Sequence, residues 1–223
     1  MIKNKRMHWV YYFGRGLIRF LVFFFAFWKV KGEENLPSNG PVLIVCNHIS
    51  TADPPMVAAS IKLKCKLMAK EELWHNAWSR YWVANFGAFP VQRGSINTES
   101  IRSAERALKQ GFSVIIFPEG TRSPDARMMP ALPGAALIAS RVGVPLMPVG
   151  ITGSEKIRNL KWSFLHHPRI TVTIGKPFDL PTNNGKTTRE QRREMTDYIM
   201  RKIADLLPPE YRGVYGGGEN AHD

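Results

Sequence analysis

A chain of 223 residues, 44% hydrophobic and 22% charged, is long enough and apolar enough to bury one α/β core. Two large domains, a chain disordered throughout and a low-complexity polymer are excluded. Its 31 Lys and Arg against 18 Asp and Glu leave a formal net charge of +13, which favours anionic partners such as lipid headgroups, nucleic acid or phosphorylated substrates.

The first 32 residues hold Lys3, Lys5, Arg6, Arg15, Arg19, Lys29 and Lys31, with no acid before Glu33. Within them Phe20 to Trp28 is unbroken apolar sequence, too short for a transmembrane helix, which needs about 20 such residues. No small-residue cleavage site follows Trp28, so a secretory signal peptide is disfavoured too. What remains is an interfacial helix or helix pair, its rings below the headgroups while Arg and Lys reach up to lipid phosphates. The competing reading is a core helix of a soluble protein. Residues 1–32 are accordingly expected to form a membrane-associating helical segment that can be removed without loss of activity on a soluble substrate. A domain over 33–207 and a disordered tail over 208–223 should follow.

After residue 33, short apolar runs alternate with helical patterns, the signature of a single α/β domain with a mixed, largely parallel sheet flanked by helices. Pro41 to Asn47, the stretch CKLMAK beginning at Cys65, Ser113 to Pro118 and Val144 to Ile151 read as buried strands. Arg169 to Gly175 alternates and is expected nearer an edge. Helices are predicted over Glu71–Asn85, Thr98–Gln110, Gly134–Arg141 and Arg189–Leu206. The last has Thr187 and Glu190 in capping-box spacing and stops before Pro208 and Pro209. Cys46 and Cys65 form no C-x-x-C pair, which argues against a disulfide framework or structural zinc and for a reducing compartment.

No G-x-S-x-G elbow, H-E-x-x-H helix, G-x-G-x-x-G fingerprint or complete P-loop occurs, so the common hydrolase, zinc protease and nucleotide-binding motifs are absent. The stretch NHISTAD places His48 and Asp53 five residues apart beyond a buried strand. On one regular helix they would stand about 140° apart, but across a strand-to-helix turn they can meet. Pro54 and Pro55 favour such a turn, since proline is tolerated in a first helical turn. An imidazole held by a carboxylate keeps its tautomer and gains basicity, as in a Ser-His-Asp triad whose hydroxyl is supplied by the substrate. The plainer reading is a capping Asp beside a surface His. FPEGTRS presents Glu119, Gly120, Thr121 and Arg122 at the end of another strand, where ligands gather in open α/β sheets. With Lys70 after a strand and Arg93 in GAFPVQRG, three cations are available to surround one phosphate.

NHISTAD, GAFPVQR, FPEGTRS and VPLMPVGI, in this order, closely resemble the four blocks of the glycerolipid acyltransferase family, specifically the 1-acylglycerol-3-phosphate (lysophosphatidic acid) acyltransferases. The blocks cover Asn47 to Ile151. The resemblance implies that His48 is the general base and Asp53 its partner. It also implies that Lys70, Arg93 and Arg122 bind the acceptor phosphate while Glu119, Gly120 and Thr121 shape the acceptor site, with an N-terminal two-helix membrane anchor. One departure stands out: many members carry an aromatic-Lys pair shortly before the glycine that opens the next helix, whereas here Ala131, Leu132 and Pro133 precede Gly134.

The expected activity is transfer of a fatty acyl group from an acyl thioester, acyl-CoA or acyl carrier protein, to the free hydroxyl of lysophosphatidic acid, without metal or redox cofactor. The expected setting is the cytoplasmic face of the cell membrane, with membrane lipid as partner and no nucleic acid. Alternatives are another lysophospholipid or glycerol 3-phosphate as acceptor, a non-catalytic basic membrane-binding module, and a metal-dependent hydrolase built on His48 and Asp53.

Overall fold

A computed structural model describes residues 6–91, 98–157, 160–180 and 187–216. Seven strands make one sheet: β1 (Phe27–Lys31), β2 (Leu43–Cys46), β3 (Cys65–Lys70), β4 (Ala88–Val91), β5 (Ser113–Ile116), β6 (Leu146–Thr152) and β7 (Arg169–Ile174). Their order is β1-β7-β6-β2-β5-β3-β4, every pairing being parallel except β6 with β7. The continuous apolar runs occupy the middle: every residue of β2 and β5 is buried, as expected for parallel strands covered on both faces. β7 alternates as its sequence does, lying one strand in from the edge with β1 outside it.

Helix α1 (Trp9–Phe25), α2 (Asp53–Ser60) and α3 (Ala77–Asn85) cover one face. The other face carries α4 (Thr98–Lys109), α5 (Gly134–Val142) and α7 (Arg189–Ala204). A short α6 (Leu160–His166) packs against α1. The helix predicted over 71–85 is divided into a 3-10 turn at Glu71–Trp74 and α3, because the Asn76 side chain accepts the Trp78 N–H at 2.8 Å and restarts the helix as its N-cap. The capping box of α7 lies one residue later than its sequence spacing suggested, on Thr188 and Gln191.

Three expectations about the termini are corrected. Residues 1–32 are not a detachable helical segment, since Phe27–Lys31 is a strand in register with Arg169–Thr173 and Tyr11 is fully buried. The Tyr11 hydroxyl donates to the Leu63 carbonyl and accepts the Cys65 N–H, both at 3.0 Å, tying α1 to the start of β3. Removing residues 1–31 would therefore strip a strand from the sheet. Secondly, Arg15 and Arg19 turn inward rather than toward headgroups: Arg15 donates to the Ile61 carbonyl and Arg19 Nε to the Ala59 carbonyl at 3.0 Å. Both cations thus neutralise the negative end of α2, where carbonyls lack helical partners. Thirdly, the tail carries structure within 208–216, with 3-10 turns at Pro209–Tyr211 and Gly213–Tyr215, while the rest of the expected tail lies outside the described residues. Tyr211 and Val214 pair with both backbone groups of Met128, and the Tyr211 hydroxyl donates to Glu155 at 2.8 Å.

The outer face of α1 is apolar and exposed, with Trp9, Phe13, Leu17, Phe20 and Phe24 at three- and four-residue intervals. Among the described residues no helix is long and apolar enough to cross a membrane.

Candidate active site

Strand β2 connects to β3 on one side, while β5 and β6 flank it, so the carboxyl end of β2 opens at a topological switch point. Asn47, the first residue beyond β2, fixes that end: its side chain donates to the Ile151 carbonyl at 2.9 Å and accepts the Ile151 N–H at 2.8 Å. His48 follows, and the chain turns into α2 with Asp53 at its start and Pro54 and Pro55 in the first turn.

The turn brings His48 and Asp53 together, Nδ1 to Oδ2 at 2.9 Å. The same Oδ2 accepts the N–H groups of Ile49 and Ser50, each at 2.7 Å, while Oδ1 accepts the Ser154 hydroxyl at 2.5 Å. Asp53 is fully buried, and its oxygens already accept from two backbone N–H groups and a hydroxyl, so it serves as acceptor and His48 Nδ1 as donor in their bond. That leaves Nε2 as the free ring nitrogen. Phe117 lies against the ring, centroids 4.3 Å apart at 32°, and further fixes its plane.

His48 stands on the wall of a cavity of about 690 Å³, a size typical of ligand sites. Its lining draws on both faces of the sheet, with Phe13, Leu17 and Val83 from α1 and α3 and Ile101, Ala135 and Ile138 from α4 and α5. Among the described lining residues the polar side chains are His48, Thr51, Lys70 and Ser100, apart from the indole of Trp82. A mostly apolar chamber with one imidazole and one cation suits an acyl chain whose polar end stops at His48.

The sequence-predicted residues divide. His48 and Lys70 line the cavity, as does Gly120, whose φ of +71° favours glycine. Thr121 and Arg122 are exposed just beyond Gly120, and Ser123 donates its N–H to the His48 carbonyl at 2.8 Å, so the Arg122 loop is fastened to the His48 loop. Arg93 lies outside the described residues. Glu119 is not on the cavity wall: Oε1 accepts the His48 N–H at 2.9 Å and Oε2 the Met129 N–H at 3.0 Å. Burial raises its carboxyl to about 7, the two backbone bonds opposing and the Asp53 charge adding to that rise. Both of its carboxylate oxygens are thus engaged by backbone. Leu132, within the stretch before Gly134 that departs from the resembled family, lines the cavity and makes that wall apolar.

Sequence reasoning missed Ser154, which lies in a 3-10 turn entered through Gly153 at φ +84°. Nothing local marks a serine 101 residues from Asp53 as its partner. Both thiols are buried and held up, Cys46 by burial and then by the Asp53 and Glu119 charges, Cys65 to about 12 chiefly by burial, so neither offers a thiolate nucleophile. Among the described residues no three His, Cys, Asp or Glu side chains gather as metal ligands.

Residues 28–152 match the family model described as Acyltransferase. The chain belongs to the acyltransferase family. Within it, the chain is 30% identical to the 1-acyl-sn-glycerol-3-phosphate acyltransferase of Bacillus subtilis, over 80% of this chain and 87% of that one. It is also 30% identical to the protein of the same name from Streptococcus pneumoniae, over 95% of this chain and 74% of that one. The crystal structure of the 1-acyl-sn-glycerophosphate (LPA) acyltransferase PlsC from Thermotoga maritima superposes with a TM-score of 0.65 at 27% identity, covering 88% of this chain and 78% of that one. The matched acyltransferase segment begins inside β1 and ends with β6, so it contains the His48–Asp53 turn and the Glu119–Arg122 loop.

Proposed function

We propose that this acyltransferase moves a fatty acyl group from an acyl thioester to the free hydroxyl of lysophosphatidic acid, forming phosphatidic acid. The observation that carries the reading is a buried His48–Asp53 pair on the wall of a mostly apolar cavity that also holds Lys70, in a chain whose relatives are named for this reaction. Asp53, unable to leave its four donors, holds the imidazole with Nε2 toward the acceptor. The acceptor hydroxyl gives its proton to Nε2 while its oxygen bonds to the thioester carbonyl carbon. The tetrahedral adduct collapses, the carbon–sulfur bond breaks, and the imidazolium returns the proton to the departing thiolate. The products are an ester and a thiol, with no acyl-enzyme.

Lys70 and Arg122 are proposed as ligands of the acceptor phosphate, with Arg93 as a third and Gly120 and Thr121 shaping the acceptor site. Neither Lys70 nor Arg122 is engaged by another side chain among the described residues, which leaves both charges available. The proposed assignment for Glu119 is support of the His48 backbone. Either acyl-CoA or acyl carrier protein serves as the donor, and no cofactor is invoked. The enzyme is read as monotopic or peripheral at the cytoplasmic face of the membrane, supported by the exposed aromatic face of α1 and by two unpaired thiols.

The test is an acyl-transfer assay in mixed micelles with each thioester donor and a panel of lysophospholipids and glycerol 3-phosphate. Lysophosphatidic acid is expected to be the preferred acceptor, and His48→Ala to lower turnover roughly 100- to 10,000-fold. Near-normal turnover in that variant would refute the mechanism. Preference for another acceptor would move the substrate assignment while leaving the chemistry standing.

A further inference from the structure

The exposed apolar surface of α1 does not end with α1. At the helix's amino end the His8 ring meets Tyr81 of α3 edge-on, centroids 6.5 Å apart, and Trp9 stands beside it. Tyr81 and Trp78 of α3 are both exposed, Trp78 at 74% the second most open large apolar side chain in the described structure. At the carboxyl end Phe25 packs on Phe164 of α6 at 5.9 Å, beside exposed Leu165 and Phe27. Three elements thus present one string of rings. Scattered single exposed apolar residues are ordinary, but a contiguous patch of this kind marks a docking surface.

We propose that a lipid leaflet covers this whole surface, so that Trp78 and Tyr81 of α3 and Phe164 and Leu165 of α6 insert on either side of α1. The proposal rests on the lipid-acylating reading above and adds two contacts outside the N-terminal segment. Two observations favour a bilayer over a protein partner. Phe13 and Leu17 are exposed on the outer face of α1 and also line the cavity, so the apolar surface runs into the acyl chamber. Hydrocarbon would continue that passage, whereas a protein would plug it. Tryptophan and tyrosine gather at the α3 end while phenylalanine and leucine dominate the other, matching the preference of amphipathic rings for headgroup depth and of apolar ones for acyl chains.

The experiment uses the full chain with vesicles of phosphatidylcholine containing phosphatidylglycerol. Trp78→Ser with Tyr81→Ser, and separately Phe164→Ser with Leu165→Ser, are each expected to weaken vesicle partitioning about tenfold, equivalent to about 1.4 kcal/mol. Turnover of a short-chain, water-soluble lysophosphatidic acid should stay unchanged, since none of the four lines the cavity. Unaltered partitioning in both pairs overturns the proposal. So does a change in lipid-free oligomeric state with partitioning intact, which would make a second copy the occupant. If a serine pair lowers the melting temperature, Trp78→Phe replaces it: bromine on the lipid acyl chains should quench a component of the tryptophan emission that this variant lacks, and no such component overturns the proposal. Failure of the wild-type chain to acylate the soluble acceptor would sink the enzymatic reading instead, with the partitioning result still deciding the surface.

Discussion

Replacing Asp53 by Asn separates two things that a carboxylate does for an imidazole: it fixes the tautomer, and it stabilises the positive charge that forms when the ring takes a proton. In a Ser-His-Asp triad this change costs about 10⁴-fold because the wrong tautomer results. Here the surroundings forbid that outcome. Oδ2 faces three donors, His48 Nδ1 at 2.9 Å and the Ile49 and Ser50 N–H groups at 2.7 Å, while Oδ1 faces only the Ser154 hydroxyl at 2.5 Å. An asparagine oriented with its oxygen toward the three donors keeps every bond, since its NH₂ can donate to Ser154 Oγ. The flipped orientation would set NH₂ against two backbone N–H groups in a fully buried site, forfeiting bonds worth about 1–3 kcal/mol each. The Nδ1–H tautomer should therefore survive, and only the pairing of imidazolium with an anion is lost. That difference is roughly 2–4 kcal/mol, or about 30- to 1,000-fold in kcat, with KM little changed. Steady-state kinetics with a soluble acceptor and nitrogen-15 spectra of the His48 ring check the two halves. A ring protonated on Nε2, or a kcat loss beyond about 10⁴-fold, would refute the reasoning about geometry, and a kcat near wild type would refute the role of the charge.

Ser154→Ala leaves Oδ1 of a buried carboxylate with no donor, so it should cost about 1–3 kcal/mol in urea melts and lower kcat more than it raises KM, while an unchanged stability would show that the contact is incidental. Glu119→Gln tests the backbone clamp, because one of the two N–H donors must then face an amide NH₂. Burial raises the wild-type carboxyl from 4.5 to about 7, so the stability from its folded-state proton is complete below about pH 4.5 and lost as pH rises through about 7. The margin of wild type over Glu119→Gln should accordingly be larger near pH 5 than near pH 8, and a margin independent of pH would contradict the assignment. Arg122→Ala and Lys70→Ala should each reduce kcat/KM for lysophosphatidic acid about tenfold or more while sparing an uncharged monoacylglycerol, since charge-assisted bonds to phosphate are the stronger ones; equal losses on both acceptors would make these residues structural.

The sequence alone determined the parts that depend on near neighbours. Strands buried on both faces must be apolar at every position, so β2, β5 and most of β6 stand out as runs, and β7 alternates because one of its sides is less covered. His48, Asp53 and the two prolines lie within eight residues, close enough for a strand-to-helix turn to be inferred from spacing. Elsewhere local pattern misled. Phe20 to Trp28 is one apolar run, yet it holds the end of a helix and the start of a strand, because Phe27 onward pairs with Arg169 onward in a part of the chain no local window contains. Arg15 and Arg19 look like lipid-facing cations until α2 brings the carbonyls of Ala59 and Ile61 beneath them. Glu119 sits in a loop that reads as ligand-binding, and only the strand order, setting β5 beside β2, turns its carboxylate onto the His48 backbone. Ser154 meets Asp53 because β6 runs parallel to β2 on its other side and ends at the same edge of the sheet. Propensity and hydrophobic period act over a few residues and so fix elements, whereas convergence of groups a hundred residues apart is set by which strands pair and in which direction, and no stretch of the sequence carries that by itself.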